Sequence, residues 1–186
     1  MKLHVLDCGW MRMESRILMK DDARPFPAQV EIPISAYCIE HADGRVLFDA
    51  GCHPQAMGPD GRWSQEFQRE YPMITGEECH LPNRLAEMGL GPDDFAHVVL
   101  SHLHSDHAGC VEFFRKSRII VHEDELEAAK DAHRRHDDDV YAFREVDAWL
   151  KRDLDWHAIS GDRALHPGID ILDLGRGHAF GMLALS

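Results

Sequence analysis

The feature that most constrains this chain is a short apolar run, Val98-Val99-Leu100, followed at once by Ser101-His102-Leu103-His104-Ser105-Asp106-His107-Ala108-Gly109-Cys110. The apolar run reads as a buried strand, and four metal-competent side chains fall within the six positions from His102 to His107. In extended chain, residues two apart point to the same side, so His102 and His104 can converge on one ion. If the chain then turns, Asp106 and His107 leave that line and can face a second ion beside the first. Imidazole and carboxylate are good zinc ligands, and two histidines with a distant third ligand leave a position open for water. The segment is read as a metal site rather than a histidine-rich polar loop.

At 186 residues and 44% hydrophobic content, the chain can build one core, and one domain over residues 1–186 is expected. Lys plus Arg number 20 against 33 Asp plus Glu, a formal charge of −13, and no basic run interleaves with aromatics. A surface of that sign repels phosphate backbones, so nucleic acid is not an expected partner. No apolar stretch approaches the roughly 18 residues of a membrane span, so no membrane role is expected either. Met1 to Asp7 meets an acid too early to serve as the apolar region of a signal peptide. Cys8, Cys38, Cys52, Cys79 and Cys110 are odd in number and scattered, without the spacing of a zinc knuckle or redox motif. A reduced, cytoplasmic protein fits best. Cys110, three residues after His107, is read as a small buried thiol rather than a ligand.

The patterning places the motif. Leu3 to Leu6 and Ala36 to Ile39 read as strands, and the turn His41-Ala42-Asp43-Gly44 makes Arg45 to Phe48 the second arm of a hairpin. Asn83 to Met88 reads as a helix, with Pro82 near its start and Gly89 as its stop. His97 to Ser101 is the strand that delivers the histidines. Val111 to Phe114 is expected in a short helix, Arg118 to His122 in a strand, and Glu123 to His133 in a charged helix with Leu126 and Ala129 facing inward. Val140, Phe143, Val146 and Leu150 recur at helical spacing within Asp137 to Asp155, predicting an amphipathic helix that covers the core or forms a substrate lid. Trp156 to Ile159 and Ile169 to Leu172 read as strands separated by a turn at Pro167-Gly168. Gly181 to Ser186 begins another apolar segment.

His102-Leu103-His104-Ser105-Asp106-His107 resembles the metal-binding motif of the metallo-β-lactamase superfamily, hydrolases of an α/β fold with an αββα sandwich. Leu100 to Cys110, with Ile119-Ile120-Val121-His122-Glu123-Asp124-Glu125, looks more narrowly like the N-acyl-homoserine lactonases. Gly175 to Leu183 is similar to that group's second metal segment, and Val46 to Gly51 matches the superfamily's first motif. The resemblance implies that His102, His104 and His178 hold a first zinc ion and that Asp106 and His107 bind a second. Asp49 would accept a hydrogen bond that orients the histidine loop. The other histidines, among them His41, His53, His97, His122 and His166, are left as surface or packed side chains.

The family also supplies a carboxylate that bridges the ions, a further histidine and a lactone-contacting tyrosine, all downstream of the His178 segment. After His178 this sequence reads Ala179-Phe180-Gly181-Met182-Leu183-Ala184-Leu185-Ser186, without an ionisable side chain. The sandwich is therefore expected to be incomplete, its second half largely missing, as a fragment or a truncated product. For the complete protein, the resemblance implies attack of a zinc-bound hydroxide on the lactone carbonyl, with Asp106 carrying the proton to the leaving alkoxide. Trp10-Met11-Arg12-Met13 and Ile17-Leu18-Met19 offer an apolar trough for the acyl chain, or simply core packing. Another hydrolase of the superfamily (acting on a thioester, a different lactone or a phosphoester) and a non-catalytic metal-binding fragment remain open at this point. Oligomeric state is not readable.

Overall fold

The computed structural model describes residues 1–18, 28–138 and 140–186. Its elements run β1 (Lys2–Glu14), α1 (Ser15–Leu18), β2 (Gln29–Glu40), β3 (Arg45–Phe48), α2 (Gln65–Glu70), α3 (Leu81–Glu87), β4 (Phe95–Val99) and α4 (Ser105–Ala108). They continue with β5 (Arg118–His122), α5 (Glu123–Arg135), α6 (Phe143–Lys151), β6 (Asp155–Ile159), β7 (Arg163–His166), β8 (Ile169–Gly175) and β9 (Met182–Leu185). Strands β1 to β6 form one sheet in sequence order, and β7, β8 and β9 form a second. The first sheet opens with antiparallel β1–β2 and β2–β3 pairs, then turns parallel through β3, β4, β5 and β6.

The period-two alternation of these strands divides the interior into two layers. Leu47, Val98, Ile119 and Val121 face the helices, packing with Leu81 and Leu85 of α3, Leu126 and Ala129 of α5, and Trp149 of α6. Their neighbours Val46, Val99 and Ile120 point the other way and pack with Ile159, Ile171 and Leu183, between the two sheets. Central strands buried on both faces explain why the sequence around Val98 reads as an unbroken apolar run.

The β2–β3 hairpin pairs Tyr37 with Phe48 and Ile39 with Val46, as the His41–Gly44 turn predicts. Strand β1 runs far past Leu6, because Trp10, Met11, Arg12 and Met13 pair with the start of β2 across a register shift near Asp7. Strand β7, absent from the sequence reading, pairs with β8 through the Pro167-Gly168 turn. The expected stripe on α6 is corrected. Val140 lies outside the helix and is 43% exposed, and Leu150 is 38% exposed, whereas Val146 and Trp149 are 2% exposed. The inward face also carries Glu145, whose carboxylate accepts a hydrogen bond from Trp63 Nε1 at 3.0 Å. Met19 and the side chain of Leu18 lie outside the described residues; Met11, Met13 and Ile17 do line a cavity.

Candidate metal centre

The centre forms where the carboxyl ends of β3 and β4 meet the connection between β8 and β9. Openings beyond the carboxyl ends of parallel strands are the usual ligand sites of α/β sheets. Asp49 follows β3, residues 101–107 follow β4, and His178 lies in the β8–β9 connection. Leu183 N–H donates to Ser101 C=O at 2.9 Å, tying the second sheet to the histidine loop. His104 caps α4, and its carbonyl accepts from His107 and Ala108 N–H at 2.9 Å each, so the chain turns right after the second histidine. A Cβ at Gly109 would collide with the backbone of Cys52 and His53, which is why the loop closes on glycine.

One ligand atom from each of His102, His104 and His178 lies within 4.8 Å of those of the other two. Their rings stand nearly perpendicular, with centroids 4.4 Å apart for His102–His104, 4.7 Å for His104–His178 and 5.2 Å for His102–His178. Asp106 and His107 sit beside this group, with His107 Nε2 3.3 Å from Asp106 Oδ2 and the His102 and His107 rings 4.1 Å apart.

Asp49 is 3% exposed and orders the loop from behind. It accepts from Ser101 N–H at 2.7 Å, from Ser101 Oγ at 2.9 Å and from His107 Nδ1 at 2.8 Å. Because Ser101 Oγ gives its proton to Asp49, the 3.0 Å contact with His102 Nδ1 assigns that nitrogen as the donor. His102 Nε2 is then left with a lone pair, and it is buried without a hydrogen-bond partner. A buried imidazole nitrogen with no partner, in a ring fixed by a hydrogen bond on its other nitrogen, fits a metal ligand.

Electrostatics agree with that fit. Burial, reinforced by neighbouring histidines, lowers the pKa of His102 to about 2, and burial lowers that of His104 to about 4. Both rings are therefore neutral, the form that binds metal. Burial alone would raise Asp106, but the charge and hydrogen bond of His107 hold its carboxyl well below the usual range. Burial would likewise favour neutral His107, yet the Asp106 carboxylate, with help from Asp49, carries its pKa up to about 10.

Sequence reasoning missed Glu125. Its side chain is fully buried, and Oε1 accepts from Leu103 N–H at 3.0 Å. Oε2 accepts from Phe180 N–H at 2.8 Å and Gly181 N–H at 3.3 Å. One carboxylate thus clamps the two loops that carry His102, His104 and His178. The signal was present, since Glu125 shares a helical face with the buried Ala129 and Ala132. An acid on the apolar face of a helix calls for buried donors. Cys110, in contrast, is a buried thiol that donates to Cys52 C=O and takes no place in the cluster.

The cluster opens into a cavity of about 490 Å³ whose floor includes His104, Asp106 and His178. Met11, Met13, Ile17, Ile32, Phe67 and Tyr71 supply apolar wall.

A three-histidine group with an adjacent acid and histidine, set at the end of a parallel sheet, defines a metal-dependent hydrolase type of centre. Residues 30–183 match the metallo-beta-lactamase superfamily, and the chain belongs to that family. It is 43% identical over 196 residues to the N-acyl homoserine lactonase AiiB of Agrobacterium fabrum, covering 100% of this chain and 71% of that protein. Among solved structures, one of an N-acyl homoserine lactone hydrolase has the product N-hexanoyl-L-homoserine bound at its catalytic metal center. It superposes with a TM-score of 0.81 at 27% identity, covering 99% of this chain and 69% of that one. The dizinc quorum-quenching lactonase AidC, at 17% identity and a TM-score of 0.64 over 98% of this chain and 66% of its own, shares the fold.

Proposed function

We propose that this protein is a zinc-dependent lactonase that opens the ring of N-acyl-homoserine lactones, and so degrades quorum signals. The observation that carries the reading is the His102–His104–His178 group, with His102 Nε2 buried and unpartnered, beside an apolar-walled cavity that His104 and His178 line. In this reading those three histidines hold one zinc ion, and Asp106 and His107 contribute to a second beside it. The similarity to a curated lactonase across the whole of this chain favours a lactone over a thioester or phosphoester. Residues 1–186 are taken as one incomplete domain of the fold, spanning 71% of the length of the Agrobacterium fabrum lactonase.

Bound zinc lowers the pKa of water toward neutrality and polarises a carbonyl oxygen. The chain's own residues supply the rest. Asp106, ionised beside the three-histidine group, accepts a proton and returns it to the alkoxide released when the ring opens. Asp49, through Ser101 and His107, keeps the ligand rings in one orientation. Met11, Met13 and Ile17 offer an adaptable apolar wall to an acyl chain. Among the described residues no helix is long and apolar enough to cross a membrane. The five cysteines are all free, which favours a reducing, cytoplasmic setting.

The test is hydrolysis of N-hexanoyl-homoserine lactone by zinc-supplemented protein, with His104→Ala alongside. The reading expects ring opening that His104→Ala abolishes together with zinc retention. Protein that binds no transition metal after careful supplementation would refute it.

A further inference from the structure

A second group of metal-competent side chains lies at the opposite end of the parallel strands. His41 and Asp43 occupy the β2–β3 turn, at the amino end of β3, and His166 ends β7 just before the Pro167-Gly168 turn. One ligand atom of each lies within 4.8 Å of the others. The rings of His41 and His166 stack with centroids 4.9 Å apart, and His97 of β4 meets His166 edge-on at 5.1 Å. No residue of this group belongs to the candidate catalytic centre.

We propose that His41, Asp43 and His166 form a second, non-catalytic site for a zinc-like divalent cation. His41 Nε2 donates to the carbonyl of Pro167 at 3.1 Å, which fixes the ring and leaves Nδ1 with its lone pair. That Nδ1 lies 3.8 Å from Asp43 Oδ2 and accepts a hydrogen bond from Asp43 N–H at 3.1 Å, which the ion would displace. A histidine whose second nitrogen is held by a backbone carbonyl is the usual arrangement behind a metal ligand. His166 Nε2 is buried without a hydrogen-bond partner, and so is His97 Nδ1. Unpaired buried nitrogens are costly, and a cation satisfies a lone pair that no donor reaches.

Two imidazoles and one carboxylate select zinc over magnesium or calcium, which take all-oxygen sets. Ligand atoms in a tetrahedral zinc site stand about 3.3 Å apart, so modest rotations close the set. Asp43 is 56% exposed while the His41 side chain is 10% exposed, so one side of the ion would remain open to water. His41 belongs to a turn of the six-stranded sheet, and His166 ends a strand of the three-stranded one. The ion would therefore pin the two sheets together at the end remote from the cavity. This inference does not rest on the lactonase reading.

The test counts zinc by equilibrium dialysis against buffered free zinc in wild-type protein, Asp43→Ala and His166→Gln. Both variants should hold one equivalent less than wild type, and any lactone hydrolysis that wild type shows should be unchanged in them. Zinc should also raise the thermal midpoint of wild type more than that of either variant. If His166→Gln does not fold, the exposed Asp43→Ala and the imidazole resonances of His41 and His166 in zinc-titrated wild type decide. Equal zinc counts in all three proteins, or imidazole signals that zinc leaves unmoved, would overturn the proposal. So would a loss of zinc that removes hydrolysis in step, because the ion would then belong to the catalytic group.

Discussion

Replacing Glu125 with glutamine tests how the two histidine-bearing loops are held together. The carboxylate receives three backbone N–H groups, one on Oε1 and two on Oε2. A glutamine has one carbonyl oxygen and one amide nitrogen that can only donate. If its oxygen faces Phe180 and Gly181, the amide meets Leu103 N–H donor to donor; the flipped amide instead orphans two N–H groups. The milder orientation still loses one hydrogen bond to a charged acceptor in a fully buried place, a cost of about 2–3 kcal/mol. Support of this kind behind metal ligands is typically worth about tenfold to a hundredfold in metal affinity. Urea denaturation of metal-free protein reads the first quantity, and zinc competition against a chromophoric chelator reads the second. Glu127→Gln serves as control, because Glu127 is an exposed residue of the same helix paired with Lys130. Wild-type stability and zinc affinity in Glu125→Gln would refute the clamp.

Asp106→Asn keeps the shape of the side chain but cannot take up a proton, so turnover should fall about a hundredfold or more. Zinc at the three histidines should bind with little change, and near-wild-type turnover would remove Asp106 from the mechanism. Burial, against the help of Ser105 and Trp63, raises the pKa of Glu145 from 4.5 to about 7. The folded state then binds the extra proton, so this residue's contribution is full below about pH 4.5 and is lost as pH rises through about 7, some ~3 kcal/mol in all. Denaturation midpoints of Glu145→Gln should lack that decline, and parallel pH profiles in the two proteins would contradict it. Gly109→Ala places a Cβ against the backbone of Cys52 and His53, which cannot swing aside. Calorimetry should show a loss of about 1–3 kcal/mol, and an unchanged midpoint would mean that the loop has slack.

The metal motif was legible because its logic is local. A buried strand, two histidines in extended register and a turn are all fixed within residues 98–107, and the structure keeps them together. His178 was legible only through resemblance, since nothing near it in sequence shows that the β8–β9 connection returns to β4. The α6 stripe misled because the helical spacing from Val146 points to Leu150 rather than Trp149. The face that turns inward carries Val146, Trp149 and Glu145, and Glu145 bonds to Trp63, a residue far away in the chain. Glu125 escaped notice for the same reason, as its donors come from two loops that only the folded chain brings together. Buried acids on helical faces were the hidden information, and their partners are set by tertiary structure rather than by periodicity.

The most direct test of the central claim follows N-hexanoyl-homoserine lactone by mass spectrometry in labelled water while zinc occupancy of the protein is varied. The account predicts a single ring-opened product carrying one water-derived oxygen in its new carboxylate. Its rate should rise with occupancy of the His102–His104–His178 group, vanish on chelation and return with zinc. Turnover that persists without metal, release of free fatty acid in place of the ring-opened product, or no conversion by fully zinc-loaded protein would contradict it.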